Sequence, residues 1–256
     1  MAPAVPLSSE QHISIRPMDG MEEFLQAEQV QREAWGYREI DIAPSSIFSV
    51  ARNFGGQAIG AFDGKRMVGY ALSFGSLEEG HAHFHSHMVA VIPEYQNRGL
   101  GKRIKLAQRD DALSRGVDQI VWTFDPLQIR NAHFNFSRLG GVGVRYLPNL
   151  YGKTSSPLHG GLPTDRLLVE WNLNSQHVLD VLSGVCPAFS TDSVSIQIPR
   201  ASSDVPFEMR LDGQSRLRNE LMRLLEDGYL VTGFEAVGDK SSYILERTKT
   251  GLTETR

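Results

Sequence analysis

The sequence predicts an α/β (α+β) protein, and three observations carry that prediction. Segments that alternate with a period of two interleave with segments bearing an apolar stripe at helical spacing. An Asp63-Gly64 pair lies between two apolar arms, which marks an antiparallel hairpin. Past residue 176 the pattern becomes strand, helix, strand, strand. That divides the chain into a main domain over 13–175 and a small C-terminal α+β subdomain over 176–256. Residues 1–12 read as a disordered leader.

The elements follow in order. Residues 13–19 alternate Ile13 and Ile15 with polar neighbours and read as a strand. Residues 20–36 form a helix with acids in the first turn, a stripe of Phe24, Ala27, Val30 and Ala34, and Gly36 as its stop. A shorter helix covers 44–55. The hairpin arms are 57–62 and 66–74. Residues 81–93 are a strand ending at Pro93. A helix follows with Leu100, Ile104 and Ala107 at helical spacing, closed by Gly116. Residues 118–126 are largely apolar and read as a strand buried on both faces. A short helix at 131–141 and strands at 143–152 and 166–173 complete the main domain.

The chain has 256 residues, of which 41% are hydrophobic and 22% charged, with a net charge of −4. That composition is ordinary for a soluble protein, and the acidic balance argues against nucleic acid as a partner. No apolar run reaches the ~20 residues of a membrane helix, and residues 1–12 lack the pattern of a secretory signal. The single Cys186 allows no internal disulfide. The expectation is a cytoplasmic protein. Its oligomeric state, monomer or homodimer, stays open.

Residues 93–109, PEYQNRGLGKRIKLAQR, ask for explanation first. Gln96, Asn97, Arg98, Gly99, Leu100, Gly101 and Lys102 lie between a strand and a cationic helix. A helix N-terminus offers unpaired N–H groups, and glycines let an anion approach the backbone closely. A tight loop-to-helix junction is the plain alternative. A dinucleotide fold would need Gly-x-Gly-x-x-Gly near the first strand. A P-loop would need Gly-Lys-Ser/Thr, and Arg103 follows Lys102 here. The cationic helix also carries Asp110 and Asp111 and no aromatic cluster, so it reads as a solvated face and not an RNA surface.

This order of elements, with VAVIPEYQNRGLGKRI, IVWTFDP and NAHFNFSRLGG, is similar to the GNAT acyltransferase superfamily over residues 13–173. The stretches HSHMVAVIPEYQNRGLG, WTFDPL, RYLPNLYG and GLPTDRLLVEW resemble a bacterial branch in which some members N-acylate, including N-succinylate, amino acids. The resemblance implies a mixed, mostly antiparallel sheet flanked by helices, and acetyl-CoA or succinyl-CoA as cosubstrate without a metal. It implies that the backbone of Met88, Val89, Ala90 and Val91 pairs with the pantetheine amides. The 96–102 turn would hold the pyrophosphate, and the region of Asn131 to Phe136, with Asn131 and Phe134 as its contacts, would flank the outer arm of CoA. The family often has a tyrosine four residues before the glycine of its last Leu-Gly. Phe136 stands there and has no proton to give the leaving thiolate, so Tyr146, Tyr151 or water must supply it.

Acyl transfer to nitrogen needs a neutral amine, a base with a pKa near neutrality and an N–H aimed at the oxyanion. His81, His83, His85 and His87 share one strand face by period. His87, nearest Met88–Val91, is the candidate base; solvated or structural histidines and a zinc site are the alternatives. Asp125 is a second candidate, or a turn former before Pro126. Trp122 reads as core or as part of an acceptor site. The branch resemblance implies a small amine or amino-acid acceptor. Arg145 and Arg166 can fork onto a carboxylate, with Asp165 and Tyr151 nearby, or can instead pair with Asp165 and Glu170. Strands 118–126 and 143–152 are expected to diverge into the acceptor cleft, with the 153–165 loop as its cover. A GNAT-like CoA-binding or sensor protein without catalysis is the rival reading.

Overall fold

The computed structural model describes residues 13–78, 80–152, 160–185, 188–202 and 204–247. The leader at 1–12, Cys186 and most of the cover loop lie outside these. The chain divides into two compact units, Met1–Arg115 and Gly116–Arg256. This division does not coincide with the boundary expected near residue 175.

In the first unit, strands β1 (Ile13–Pro17), β2 (Gln57–Asp63), β3 (Arg66–Glu78) and β4 (His81–Val91) pair antiparallel in that order. Gly64, at φ +58°, turns the expected hairpin between β2 and β3. Helix α1 (Gly20–Trp35) ends where Gly36 takes φ +63°. Its stripe of Phe24, Ala27 and Val30 is buried as read, with Gln31 added. Helix α2 (Ser45–Asn53) buries Phe48 and Ala51. The apolar members of these two helices, with Phe62, Tyr70, Leu72, Ala90 and Ile104, make one apolar core.

Helix α3 (Leu100–Ser114) packs on β2, β3 and β4, but not by the expected stripe. It buries Leu100, Ile104, Gln108 and Ala112, four residues apart, together with Lys105. Ala107 is only half-buried. The polar members are bonded to the sheet. Lys105 Nζ donates to Ser86 Oγ at 3.1 Å, and Gln108 Nε2 donates to Ser73 Oγ at 2.6 Å. Gln57 Nε2 donates to Gln108 O and Asp111 Oδ2, both at 2.8 Å.

In the second unit the strands are β5 (Gln119–Phe124), β6 (Val142–Leu147), β7 (Arg166–Asn172), β8 (Val194–Gln197), β9 (Tyr229–Val237) and β10 (Lys240–Arg247). Their order is β5-β7-β6-β9-β10-β8. β7 therefore lies between β5 and β6 and pairs with both, so the expected divergence of those two strands into a cleft does not occur. β6 also ends at Leu147, five residues early, because Pro148 and Asn149 (φ +46°) turn the chain out of the strand. β6 meets β9 through Gly143 and Val231. A Cβ on Gly143 would lie 2.9 Å from Val231 Cβ, so only glycine permits that approach.

Helix α4 (Ile129–Ala132) runs into a π-helical turn, His133–Arg138. Helix α5 (Gln176–Ser183) was not expected. Helix α6 (Phe207–Glu226) begins six residues before the helix that the pattern over 213–228 predicts. It buries Leu217, Leu221 and Leu224. No helix among the described residues is long and apolar enough to cross a membrane.

Burial lowers the Lys105 pKa from 10.5 to about 7. Between those values the unfolded chain binds a proton that the folded one does not, so folded-state stability rises with pH. Relative to Lys105→Met, the native protein should gain about 2 kcal/mol between pH 7 and pH 9. Urea melts of both proteins at the two pH values check this; a constant difference refutes it.

Candidate functional site

In the first unit the candidate residues follow one continuous path from β4 into α3. Residues Met88–Val91 pair in register with β3, from Leu72↔Met88 to Gly69↔Val91. The register then shifts, because Ser73 opposes Ser86. His87 is thus the extra residue of a β-bulge, directly before the segment expected to hold the thioester arm. Period-two alternation breaks there, which the sequence reading did not foresee. Bulges re-aim side chains, and the His87 ring comes to lie 5.5 Å from that of Phe74 and 6.1 Å from that of His85.

His87 is exposed at its surface, yet the atoms packed around its imidazole lower its pKa below the ordinary value by desolvation. His85 is half-buried, and its pKa is lowered by burial first, then by the charges of His87, His83 and Lys105. Both rings therefore favour the neutral form. His83 is buried and His81 exposed. Among the described residues, no group of three or more His, Cys, Asp or Glu could hold a metal ion.

After Val91 the chain makes a short 3-10 turn, Pro93–Tyr95. Two side chains fasten it. Tyr95 Oη donates to Asp63 Oδ2 at 2.6 Å, and Gln96 Nε2 donates to Val91 O at 2.8 Å. Asn97 and Gly99 then take left-handed backbone, φ +60° and +77°, and Gly99 caps α3. Asparagine and glycine are the residues that reach this region at least cost. The α3 N-terminus offers no side-chain cap of its own. Its first N–H groups, which have no intrahelical acceptor, lie beside exposed Asn97, Arg98 and Gly99. Arg98 lies over the Tyr95 ring at 5.9 Å, and Lys102 is half-buried. Arg103 is spoken for, since its guanidinium donates to Ile13 O at 2.8 Å. N–H groups at a helix start, the positive end of a 15-residue helix and an exposed arginine are together able to hold an anion.

The second unit holds two further groupings. At its open one, Tyr151 is exposed, its hydroxyl is 3.3 Å from Thr123 Oγ1, and the Arg166 guanidinium lies 5.0 Å over its ring. The Arg166 Nη1 donates to the backbone O of Asp165 at 2.9 Å. Arg145 is exposed on β6. At the closed grouping, Asp165 is fully buried and paired with Arg218 of α6 at 2.8 Å. Tyr146 Oη donates to Asp165 Oδ2 at 2.7 Å, and burial and that carboxylate together raise the phenol pKa. Asp165 is thus held by internal partners, and the Tyr146 hydroxyl is engaged with it.

Other candidates fall apart from these groupings. Asp125 Oδ1 accepts the Leu127 N–H at 2.9 Å, a side-chain turn at the end of β5. Trp122 is buried, with its indole N–H given to Asn135 Oδ1 at 3.2 Å and its ring edge-on to Trp171. Asn131 is exposed and Phe134 half-buried, on α4 and its π-helical turn. Phe136 is buried against Phe124 and Tyr243. Sequence reasoning missed Lys105, Gln108 and Arg218. The Arg210-Gln214-Arg218 spacing was the available signal for the last.

Comparison with known proteins gives the same direction. The model of the GNAT acetyltransferase family matches residues 18–140. No curated protein matches the chain. Among solved structures, a protein assigned to the GNAT family from Desulfovibrio desulfuricans is 15% identical, with a TM-score of 0.52 over 63% of this chain and 99% of its own. The ribosomal-protein-S18-alanine N-acetyltransferase of Escherichia coli is 16% identical, at 0.51, over 63% and 94%. An aminoglycoside 6'-acetyltransferase type Ii is 18% identical, at 0.51, over 64% and 99%. These structures share the fold.

Proposed function

We propose that the chain, whose residues 18–140 match the model of the GNAT acetyltransferase family, transfers an acyl group from acetyl-CoA or succinyl-CoA to a small amine or amino acid. The observation that carries this reading is the left-handed turn at Asn97 and Gly99, which opens the α3 N-terminus to an anion. A CoA pyrophosphate suits that site: it is doubly anionic, and α3 meets it with backbone donors and Arg98. The Met88–Val91 backbone would pair with the pantetheine amides, and an N–H at Val89 or Ala90 would receive the oxyanion.

The amine attacks the thioester carbonyl directly. A C–N bond forms, the C–S bond breaks, the amine proton passes to a base, and the CoA thiolate leaves. His87 suits the role of base. It stands at the bulge before Met88, and its lowered pKa leaves it unprotonated near neutrality. Phe136 cannot return a proton to the thiolate. Tyr151, exposed and bonded to Thr123, is the donor we assign, with water as its substitute. The same exposed face of the second unit supplies Arg145 and Arg166 for an acceptor carboxylate.

Three measurements test this. Gly101 lies inside α3, so Gly101→Glu adds bulk and negative charge at the anion site while keeping a helical backbone. It should abolish acetyl-CoA binding in calorimetry; unchanged affinity in a folded variant removes the pyrophosphate assignment. His87→Ala should lower turnover by about 10² with CoA affinity intact. In the native enzyme kcat/KM should fall as pH drops through the His87 pKa, below 6.5, and the variant should lose that inflection. Native-like kinetics in the variant would assign the base elsewhere, and CoA binding without any turnover would favour a CoA sensor. Finally, a free amino acid should be preferred over its decarboxylated amine by about 1.5–3 kcal/mol in transition-state binding. Equal kcat/KM for the pair, or reaction with peptide amines alone, overturns the carboxylate reading.

A further inference from the structure

Helix α6 lies outside the family-matched segment, and the acyl-transfer chemistry does not call on it. It nevertheless presents three polar side chains at successive four-residue steps, and each is bonded to the segment that leads into β7. Arg210 Nη1 donates to Gly160 O at 3.4 Å, and Gln214 Nε2 donates to Pro163 O at 2.9 Å. Arg218 forks onto Asp165, Nε to Oδ2 at 2.8 Å and Nη2 to Oδ1 at 2.9 Å.

Asp165 passes this hold on. Its Oδ1 also accepts the backbone N–H of Asn149 at 3.0 Å. Asn149 opens a turn in a left-handed conformation, φ +46°, which a non-glycine residue keeps only when its surroundings enforce it. The enforcement is visible. Thr164 N–H reaches Asn149 Oδ1 at 3.2 Å, Leu150 N–H reaches Thr164 O at 3.1 Å, and Tyr151 N–H reaches Thr164 Oγ1 at 2.9 Å. The turn that carries Tyr151 is therefore clamped by Thr164 and Asp165, and the carboxylate in that clamp has no solvent exposure.

A carboxylate buried without a counter-charge either takes up a proton or draws in water. Either change weakens it as an acceptor for Asn149. A guanidinium fork prevents both, because it supplies two parallel charged bonds in fixed geometry, which an ammonium cannot.

We propose that Arg218 is a positioning residue for the acceptor: by pairing with buried Asp165 it fixes the Asn149–Gly152 turn and so sets Tyr151 beside Thr123 and Arg166. The C-terminal segment is then a working part of acceptor recognition. This inference rests on the acceptor face assigned above, and its test has a readout that does not.

The full chain would be made as Arg218→Met, Arg218→Lys and the double variant Arg218→Met/Asp165→Asn. Amide hydrogen exchange is followed at Asn149, Leu150 and Tyr151, with the β7 amides as internal reference. CoA affinity and acceptor KM and kcat are measured alongside. Arg218→Met should speed exchange at those three amides by about tenfold or more relative to β7. It should raise acceptor KM by a similar factor and leave CoA affinity unchanged. Arg218→Lys should fall between, and the double variant, which buries no unpaired charge, should recover protection. Should Arg218→Met not fold, Arg218→Lys carries the test on the same amides. Native protection at Asn149–Tyr151 in a folded Arg218 variant overturns the proposal, and so does a loss that the double variant fails to recover. A native enzyme that turns over no acceptor, yet shows the expected exchange pattern, refutes the acyl-transfer reading and leaves the clamp standing.

Discussion

Asn97 and Gly99 hold left-handed backbone two residues apart, and much of the first unit serves to keep them there. A turn of this kind offers its N–H groups outward only if something other than those groups holds it in place. Here side chains do that work. Tyr95 ties the preceding 3-10 turn to the hairpin through Asp63, and Gln96 reaches back to Val91. Leu100, the first residue of α3, is already buried, so the helix is anchored from its opening residue. The turn is fixed from both sides by groups other than its own N–H donors, which is a condition for preorganised anion binding.

Packing α3 on the sheet sets a second constraint. A helix that buries Gln108 and Lys105 gives up apolar contact and must satisfy each polar atom. Gln108 is bonded to Ser73 and to Ser86, and Lys105 also to Ser86. Ser73 and Ser86 oppose one another across β3 and β4, at the edge of the bulge that holds His87. The polar cluster therefore sits where the ladder is interrupted. An apolar seam would tolerate a shift of register there; hydrogen bonds of fixed partner and direction do not.

The parts legible in the sequence were those written in local signals. The α1 stripe, the Asp63-Gly64 hairpin and the glycine-opened α3 follow from period and turn chemistry. The bulge at His87 left no local mark, because nothing in HAHFHSH distinguishes the extra residue from its neighbours. The α3 stripe was misread because Gln108 occupies a position that pattern reading assigns to solvent. Helix α5 carries its local signals as well: Ser175 caps it through Val178 N–H and Gly184 ends it at φ +89°. Gly213 obscures α6 in the sequence, since glycine suggests a terminus. Here it lies mid-helix because a Cβ would come within 3.0 Å of Pro199. The contact of Arg218 with Asp165 spans 53 residues, and no periodicity reports a partner at that distance.

One border strand in each unit bears on how the molecule keeps to itself. β8 has only four residues, and β1 has five and ends in Pro17, which cannot donate to a neighbour. Arg16 of β1 is folded down over Phe62 and paired with Glu23, so a charged side chain lies along that border. Short length, a proline and a charge are the means by which sheets discourage edge-to-edge growth. Strands so trimmed offer a stray chain few rungs to add to. At the concentrations of a crowded cell that limits ladder-by-ladder aggregation, and any pairing of two copies through side-chain surfaces remains free to evolve separately.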